Sequence, residues 1–129
     1  MSLYTVTYES RPWTTNAERR LNRWRRAELT AEWRTAFAWL ARSQRIPPLH
    51  LVTITAQPHQ RGGVLQYVAA CNPAVKAAID GLVDAGVLED DSSTHLTHIT
   101  FETPQRGRDA LTLVIRPTDT PTSREDTTP

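Results

Sequence analysis

At 129 residues the chain is sized for one domain, and its 39% hydrophobic and 22% charged residues are ordinary for a globular protein. No apolar run approaches the roughly 18 residues of a membrane helix, so no membrane partner is expected. The opening MSLYTVTYES has no basic run ahead of an apolar core, so no secretory signal is expected either. The single cysteine, Cys71, excludes an internal disulfide and a cysteine-built zinc site, which suits a reducing, cytoplasmic compartment. The net charge of +1 conceals a split, with nine arginines and four acids in residues 1–48 against six bases and ten acids in residues 49–129. Such polarity can steer an anion to one face, or it is surface composition without consequence.

Residues 3–8, LYTVTY, alternate with period two and predict a strand. Ser10-Arg11-Pro12 ends it, and Asn16 is the expected cap of the helix that follows. Residues 17–43 read as helix in two pieces, with Thr30 placed to cap a restart. In the second piece Leu29, Trp33, Phe37 and Leu40 make one apolar stripe. The first piece carries Arg19, Arg20, Arg23, Arg25 and Arg26 within eight residues, with Trp24 among them. A helix of this kind can lie along phosphates, with Arg19, Arg20, Arg23 and Arg26 as the nucleic-acid contacts. The other reading is a solvated face with Trp24 turned into the core.

Ile46-Pro47-Pro48 ends the helical region, and Leu49–Ala56 predicts a strand with His50 and His59 near its ends as surface residues. Gln60-Arg61-Gly62-Gly63 is a turn without the Gly-Lys-Ser/Thr of a phosphate loop. Val64–Cys71, an optional strand, leads into the best-marked element, NPAVKAAIDGLVDAGVLEDD. There Asn72 suits an N-cap, Pro73 a first helical position and Gly86 the left-handed residue that closes a helix. Val75, Ile79, Leu82 and Val83 form its apolar stripe, and Lys76, Asp80 and Asp84 its polar side. The acids Glu89, Asp90 and Asp91 follow, as a metal site or as a solvated turn.

His95–Thr103 and Leu111–Ile115 predict strands joined through a turn at Pro104–Arg108, hence a hairpin. Residues 117–129 hold only Thr, Pro, Ser and charge and predict a disordered tail after a domain of residues 1–116. The order β-α-β-(β)-α-β-β predicts a two-layer α+β domain, a mixed sheet of about four strands against two main helices.

The segment VKAAIDGLVDAGVLEDD, followed by a strand pair ending in LTLVI, resembles the RusA-like Holliday junction resolvases. PWTTNAERR is similar to the loop before that family's first helix, so the likeness spans most of residues 3–116. It implies a phage-associated homodimer that binds branched DNA and resolves four-way junctions in recombination and repair, by Mg²⁺-assisted phosphodiester hydrolysis. Carried over by position, Lys76 and Asp91 are catalytic, Asp90 and Asp91 hold the Mg²⁺, Lys76 also meets the DNA, and Asp80 is structural. A chain reversing at Gly86 can bring the acids back toward Lys76, because about five extended residues span the roughly 15 Å of helix between them.

The family's two metal-binding acids fall here on Ala70 and Asn72, and its asparagine on Pro73; residues 33–79 contain no Asp or Glu. Mg²⁺ is usually held by one or two carboxylates beside its waters. A complete site therefore needs an acid from elsewhere, such as Glu18, Glu28 or Glu32, or from a dimer partner. Two other readings stay open: a non-catalytic member of the fold that binds DNA structure, and a phage protein that binds a host protein.

Overall fold

The computed structural model describes residues 3–90 and 94–118. Five strands, β1 (Tyr4–Tyr8), β2 (Val52–Gln60), β3 (Leu96–Phe101), β4 (Gln105–Arg106) and β5 (Ala110–Pro117), form one mixed sheet. Three helices, α1 (Thr15–Arg20), α2 (Arg23–Ser43) and α3 (Asn72–Asp84), complete the two-layer α+β domain. The sheet order is β1-β5-β2-β3, with β4 beside the far end of β2.

The two outer strands of the chain's second half do not form the expected hairpin. β2 lies between them, parallel to β3 and antiparallel to β5. Burial explains the choice. All but one of the first six residues of β5 are buried, so it belongs in the sheet's interior, whereas β3 buries only Leu96 and exposes the next four residues, which suits an edge. The α3 crossover then supplies the long connection that a parallel β2–β3 pair requires.

β2 starts and ends later than the alternation of Leu49–Ala56 suggests, and it contains Pro58. That proline sits where the β3 ladder has ended at Ala56 and the β4 ladder has not begun at His59, so its missing N–H interrupts no pairing there. Strict alternation along β2 buries Val52, Ile54, Ala56, Pro58 and Gln60 on one face. The other face carries threonines, Gln57 and His59, with Thr7 and Thr112 joined across strands by a 2.8 Å hydroxyl contact. His59 is held below its ordinary pKa by burial and by the nearby Arg108, so it is neutral near pH 7.

The helical region breaks at Leu21–Asn22 and not at Thr30. Leu21 is extended, and Asn22 caps α2 by accepting the Arg25 N–H at 2.8 Å. Thr14, two residues ahead of the expected Asn16, caps α1 through Ala17. The stripe on α2 buries Trp33 and Phe37, which stack on each other and meet Tyr8 edge-on. Trp13 closes the cluster edge-on to Trp33. Glu32 accepts the Tyr8 hydroxyl at 2.7 Å, and burial first, then this carboxylate, pushes the phenol up to about 12.

The α3 stripe is as expected, with Val75, Ile79 and Leu82 buried. At its start Cys71, not Asn72, holds the cap position and makes no side-chain bond, with Pro73 in the first turn. Burial pushes the Cys71 thiol up to about 11, which keeps it inert. At its end Gly86 is left-handed at φ 82°. Bonds from Gly86 to Val83 (2.9 Å) and from Val87 to Leu82 (3.0 Å) complete a Schellman closure. Val87 and Leu88 then drop into the core, and Val87 accepts the Leu49 N–H. The Val64–Cys71 stretch is a loop with turns at residues 68–71, not a strand. The sheet takes in Pro117, and Thr118 bonds the Leu51 carbonyl, so order extends past residue 116; residues 119–129 lie outside the described residues.

α2 and α3 pack directly on each other and are clamped at the rim by Arg34, whose guanidinium grips both carboxylate oxygens of Asp84. Arg42 bonds the Asp84 carbonyl at 2.9 Å. The hydrogen bonds from Arg34 hold the Asp84 carboxyl below its ordinary value, so the clamp's contribution is full above that value and falls as pH drops through the lowered one. Both groups are partly solvated, so the effect is at most about 1 kcal/mol. Between pH 5 and pH 2.5, chemical denaturation should show the wild type losing more stability than Asp84→Asn; parallel curves would mean that the clamp carries no pH-dependent stability.

Candidate nucleic-acid interface

The bend at Leu21–Asn22 splits the arginine run between two helices. Arg19 and Arg20 end α1, while Arg23, Arg25 and Arg26 open α2, and all five side chains are exposed. Arg25 pairs with Glu28 at 3.2 Å. Arg19, Arg20, Arg23 and Arg26 make no ion pair among the described residues. Trp24 is not in the core. It is 70% exposed, with the Arg23 guanidinium 5.1 Å from its ring centroid. Two of the four tryptophans, Trp24 and Trp39, stand in water, because the α2 stripe that meets the sheet is already filled by Trp33 and Phe37.

Beside this surface lies a groove of about 360 Å³ between α1, the start of α3 and Thr30 of α2. Its walls include Trp13, Glu18, Asn72, Lys76 and Asp80. The backbone fastens it, since the Thr15 N–H donates to the Ala70 carbonyl at 3.0 Å and ties α1 to the entry of α3. Lys76 donates to Asp80 at 2.9 Å, the one-turn spacing that helix geometry favours. Glu18 accepts the Trp13 indole N–H at 2.9 Å. Of the three glutamates named as sources of a missing acid, only Glu18 reaches this groove; Glu28 is taken by Arg25 and Glu32 by Tyr8. Ala70, where a metal-binding acid falls in the resemblance, is buried and offers no side-chain oxygen, and Asn72 is exposed and neutral.

The acidic run divides. Asp91 lies outside the described residues. Glu89 meets the Nε2 of the buried His95 at 3.1 Å. His95 Nδ1 bonds the His50 carbonyl at 2.8 Å. That backbone bond first, then Asp90 and Glu89, raise the His95 pKa against the opposing effect of burial. Glu89 and Asp90 thus act on a histidine at the β2–β3 end of the sheet. Among the described residues no cluster of three or more His, Cys, Asp or Glu is arranged to hold a metal, and no helix is long and apolar enough to cross a membrane.

What the groove can do follows from its groups. A lysine and an asparagine beside two carboxylates can bind a phosphate edge and orient a water. Mg²⁺ fits such a donor set only weakly, because Asp80 already serves Lys76 and Glu18 already serves Trp13. The exposed arginines and indole offer phosphate neutralisation and a stacking face. The chain matches no protein-family model, and no curated protein matches it.

Proposed function

We propose that the chain is a RusA-like protein that binds branched DNA as a homodimer, four-way junctions in preference to duplex. One observation carries the nucleic-acid part of this reading, the homodimer and the junction preference being what the resemblance implies: the α1–α2 bend leaves Arg19, Arg20, Arg23 and Arg26 exposed on the stretch that holds Trp24, whose indole is 70% in water with the Arg23 guanidinium 5.1 Å from its centroid. Leaving a large aromatic side chain open among cations works against hydrophobic burial, and aromatic–arginine surfaces of this kind suit nucleic acid, where phosphates meet the guanidinium groups and bases meet the ring. Lys76, bonded to Asp80, lies in the neighbouring groove at the start of α3.

A second reading, Mg²⁺-dependent resolution of the junction, rests on the residue types gathered in the groove, where Asp80 and Glu18 would have to give up their bonds to Lys76 and Trp13 to serve a metal. Glu18, Asp80 and Asn72 surround Lys76 there, at the helix start where the resemblance puts the chemistry. The resemblance adds Asp90 and Asp91 as ligands; Asp90 acts on His95 and does not line this groove, and Asp91 lies outside the described residues. Bound Mg²⁺ would activate water and neutralise the phosphate; the chain's own part is to seat the scissile phosphate against Lys76.

Binding of a labelled four-way junction and a matched duplex, each in EDTA and in Mg²⁺ or Mn²⁺, tests both readings. Binding alone predicts a junction shift in EDTA at protein concentrations that leave the duplex free. Strand products in metal that vanish in Lys76→Ala support resolution. No cleavage at any protein excess removes the second reading and leaves the first. Failure to bind the junction in either condition overturns both, and capture of a host protein from nuclease-treated lysate would then favour the protein-binding alternative.

A further inference from the structure

The loop between β2 and α3 is held from below and open above. Gln60, only 3% exposed at the end of β2, spends its side chain on this loop. Its amide nitrogen donates to the Gly62 and Val64 carbonyls, both at 2.7 Å, and its oxygen accepts the Gln66 N–H at 3.3 Å. Arg11 adds a second bond to the Gly62 carbonyl at 2.9 Å. Beyond Tyr67 the chain turns through Ala69 at φ 70°, a left-handed conformation that residues with a Cβ rarely take, and the Ala70 N–H closes on the Tyr67 carbonyl at 3.1 Å. On this frame Val64 is 89% exposed, Tyr67 67%, Val68 43% and Leu65 39%. A buried polar side chain thus fixes a loop whose tip keeps four neighbouring apolar groups in water, the arrangement of a surface that meets a partner.

The surroundings indicate the partner's chemistry. Arg61 follows Gln60, Arg106 pairs with Gln60 across the β2–β4 ladder, and Arg11 and Arg108 lie at the same end of the sheet, facing only Glu9 and Asp109 among their ion-pair partners. On its other side the loop runs straight into Asn72 and the Lys76 groove, and Gln66 shares a cleft with Arg11, Trp13 and Ala17 of α1. The apolar tip is therefore flanked on one side by four arginines, two of them paired with acids, and on the other by the mixed-charge Lys76 groove. A run of acidic side chains alone would satisfy the arginines and leave the tyrosine ring in water. Unstacked nucleobases between phosphates satisfy both.

We infer that the 64–68 loop is a wedge that takes the unpaired bases at the branch point of DNA, with Tyr67 as the stacking ring and Leu65 beside it. This rests on the branched-DNA reading above and adds what would make binding selective for a branch. Duplex DNA keeps its bases stacked, so the loop contributes nothing there, whereas a branch point offers bases already partly open and lowers the cost of unstacking.

The test compares Tyr67→Ala, Tyr67→Phe and wild type on a four-way junction and on duplex, with 2-aminopurine placed at the branch point. Tyr67→Ala should weaken junction binding about 10- to 100-fold, leave duplex binding unchanged and abolish the 2-aminopurine change. Tyr67→Phe, which keeps the ring, should behave as wild type. Equal loss on junction and duplex, or no loss on either, overturns the wedge while leaving the DNA-binding reading intact. A wild-type protein that binds neither substrate defeats the underlying reading instead. Conversion of a dimer to a monomer by Tyr67→Ala in sedimentation would assign the loop to contact between copies and also overturn the wedge.

Discussion

Replacing Gly81 by alanine is expected to destabilise the domain by about 2–3 kcal/mol, although in an exposed helix the same change would stabilise it by about 1 kcal/mol. Gly81 lies inside α3, where it faces α2. A Cβ built there would stand 2.4 Å from the Arg34 carbonyl oxygen, 3.0 Å from Phe37 Cβ and 3.1 Å from the Ala38 nitrogen. Two of those three atoms are backbone, so no side-chain rotation relieves the overlap; the helices must separate. Separation would loosen Trp33 and Phe37 and lengthen the Arg34–Asp84 clamp, because all of these sit along the same helix pair. Gly86 is the contrasting control. Nothing lies within 4 Å of a Cβ there, and the cost of alanine comes only from the left-handed backbone at φ 82°, about 1–2 kcal/mol. Urea titration should show a lower midpoint at unchanged slope for Gly81→Ala. A neutral or stabilised variant would contradict the close α2–α3 approach.

That approach also shows how far the sequence could be read. α3 was legible because its strongest signals agreed: proline at the start, an apolar stripe at helical spacing and a glycine two residues past the last helical residue. The α+β class followed, because two stripes and several alternating runs leave few other ways to bury apolar surface. The pairing of strands was not legible. Period-two alternation marks a strand but carries no label for its neighbour, and the short turn at residues 104–108 made a hairpin the economical guess. What decided the matter was burial on both faces of β5, a property of the assembled sheet. The Gly81 contact was hidden for the same reason, since a glycine in a helix becomes informative only once the opposing backbone is in place.

The candidate site was half legible. The placing of Lys76 and Asp80 on one polar side was legible, and one-turn spacing lets them pair. That Glu18 rather than Glu28 or Glu32 reaches Lys76's groove depends on the bend at Leu21–Asn22, which swings α1 back over the start of α3 through the Thr15–Ala70 bond. The exposure of Trp24 was an open alternative, and it resolved on packing: the α2 stripe had room for Trp33 and Phe37, and Trp24 sits nine residues ahead of Trp33 on a stretch that meets no sheet. The 64–68 loop gave no signal at all, since a valine-leucine-tyrosine run reads as strand until a buried glutamine is found holding its backbone.

Removing Arg19, Arg23 and Arg26 together is expected to weaken binding to branched DNA about 100-fold near 0.15 M salt and to lower the slope of log K against log salt by about 2–3. Each arginine that neutralises a phosphate releases close to one counterion, so the slope counts contacts while the affinity sums them with everything else. The triple variant should fold normally, because all three side chains are exposed and none holds an ion pair among the described residues. Arg25→Ala should change the slope less, since Arg25 already serves Glu28 at 3.2 Å. Trp24→Ala separates the two physical contributions: a stacking face carries no charge, so its loss should reduce affinity several-fold while leaving the slope where it was. A salt titration by fluorescence anisotropy reads both quantities from one series. If the triple variant keeps the wild-type slope, the α1–α2 surface does not touch phosphate, and the arginine run is a solvated face. If the slope falls but Trp24→Ala binds as wild type, the indole is a bystander and charge alone holds the DNA. Only a fall in slope for the arginines with a fall in affinity at constant slope for the tryptophan fits a surface that reads backbone and base together.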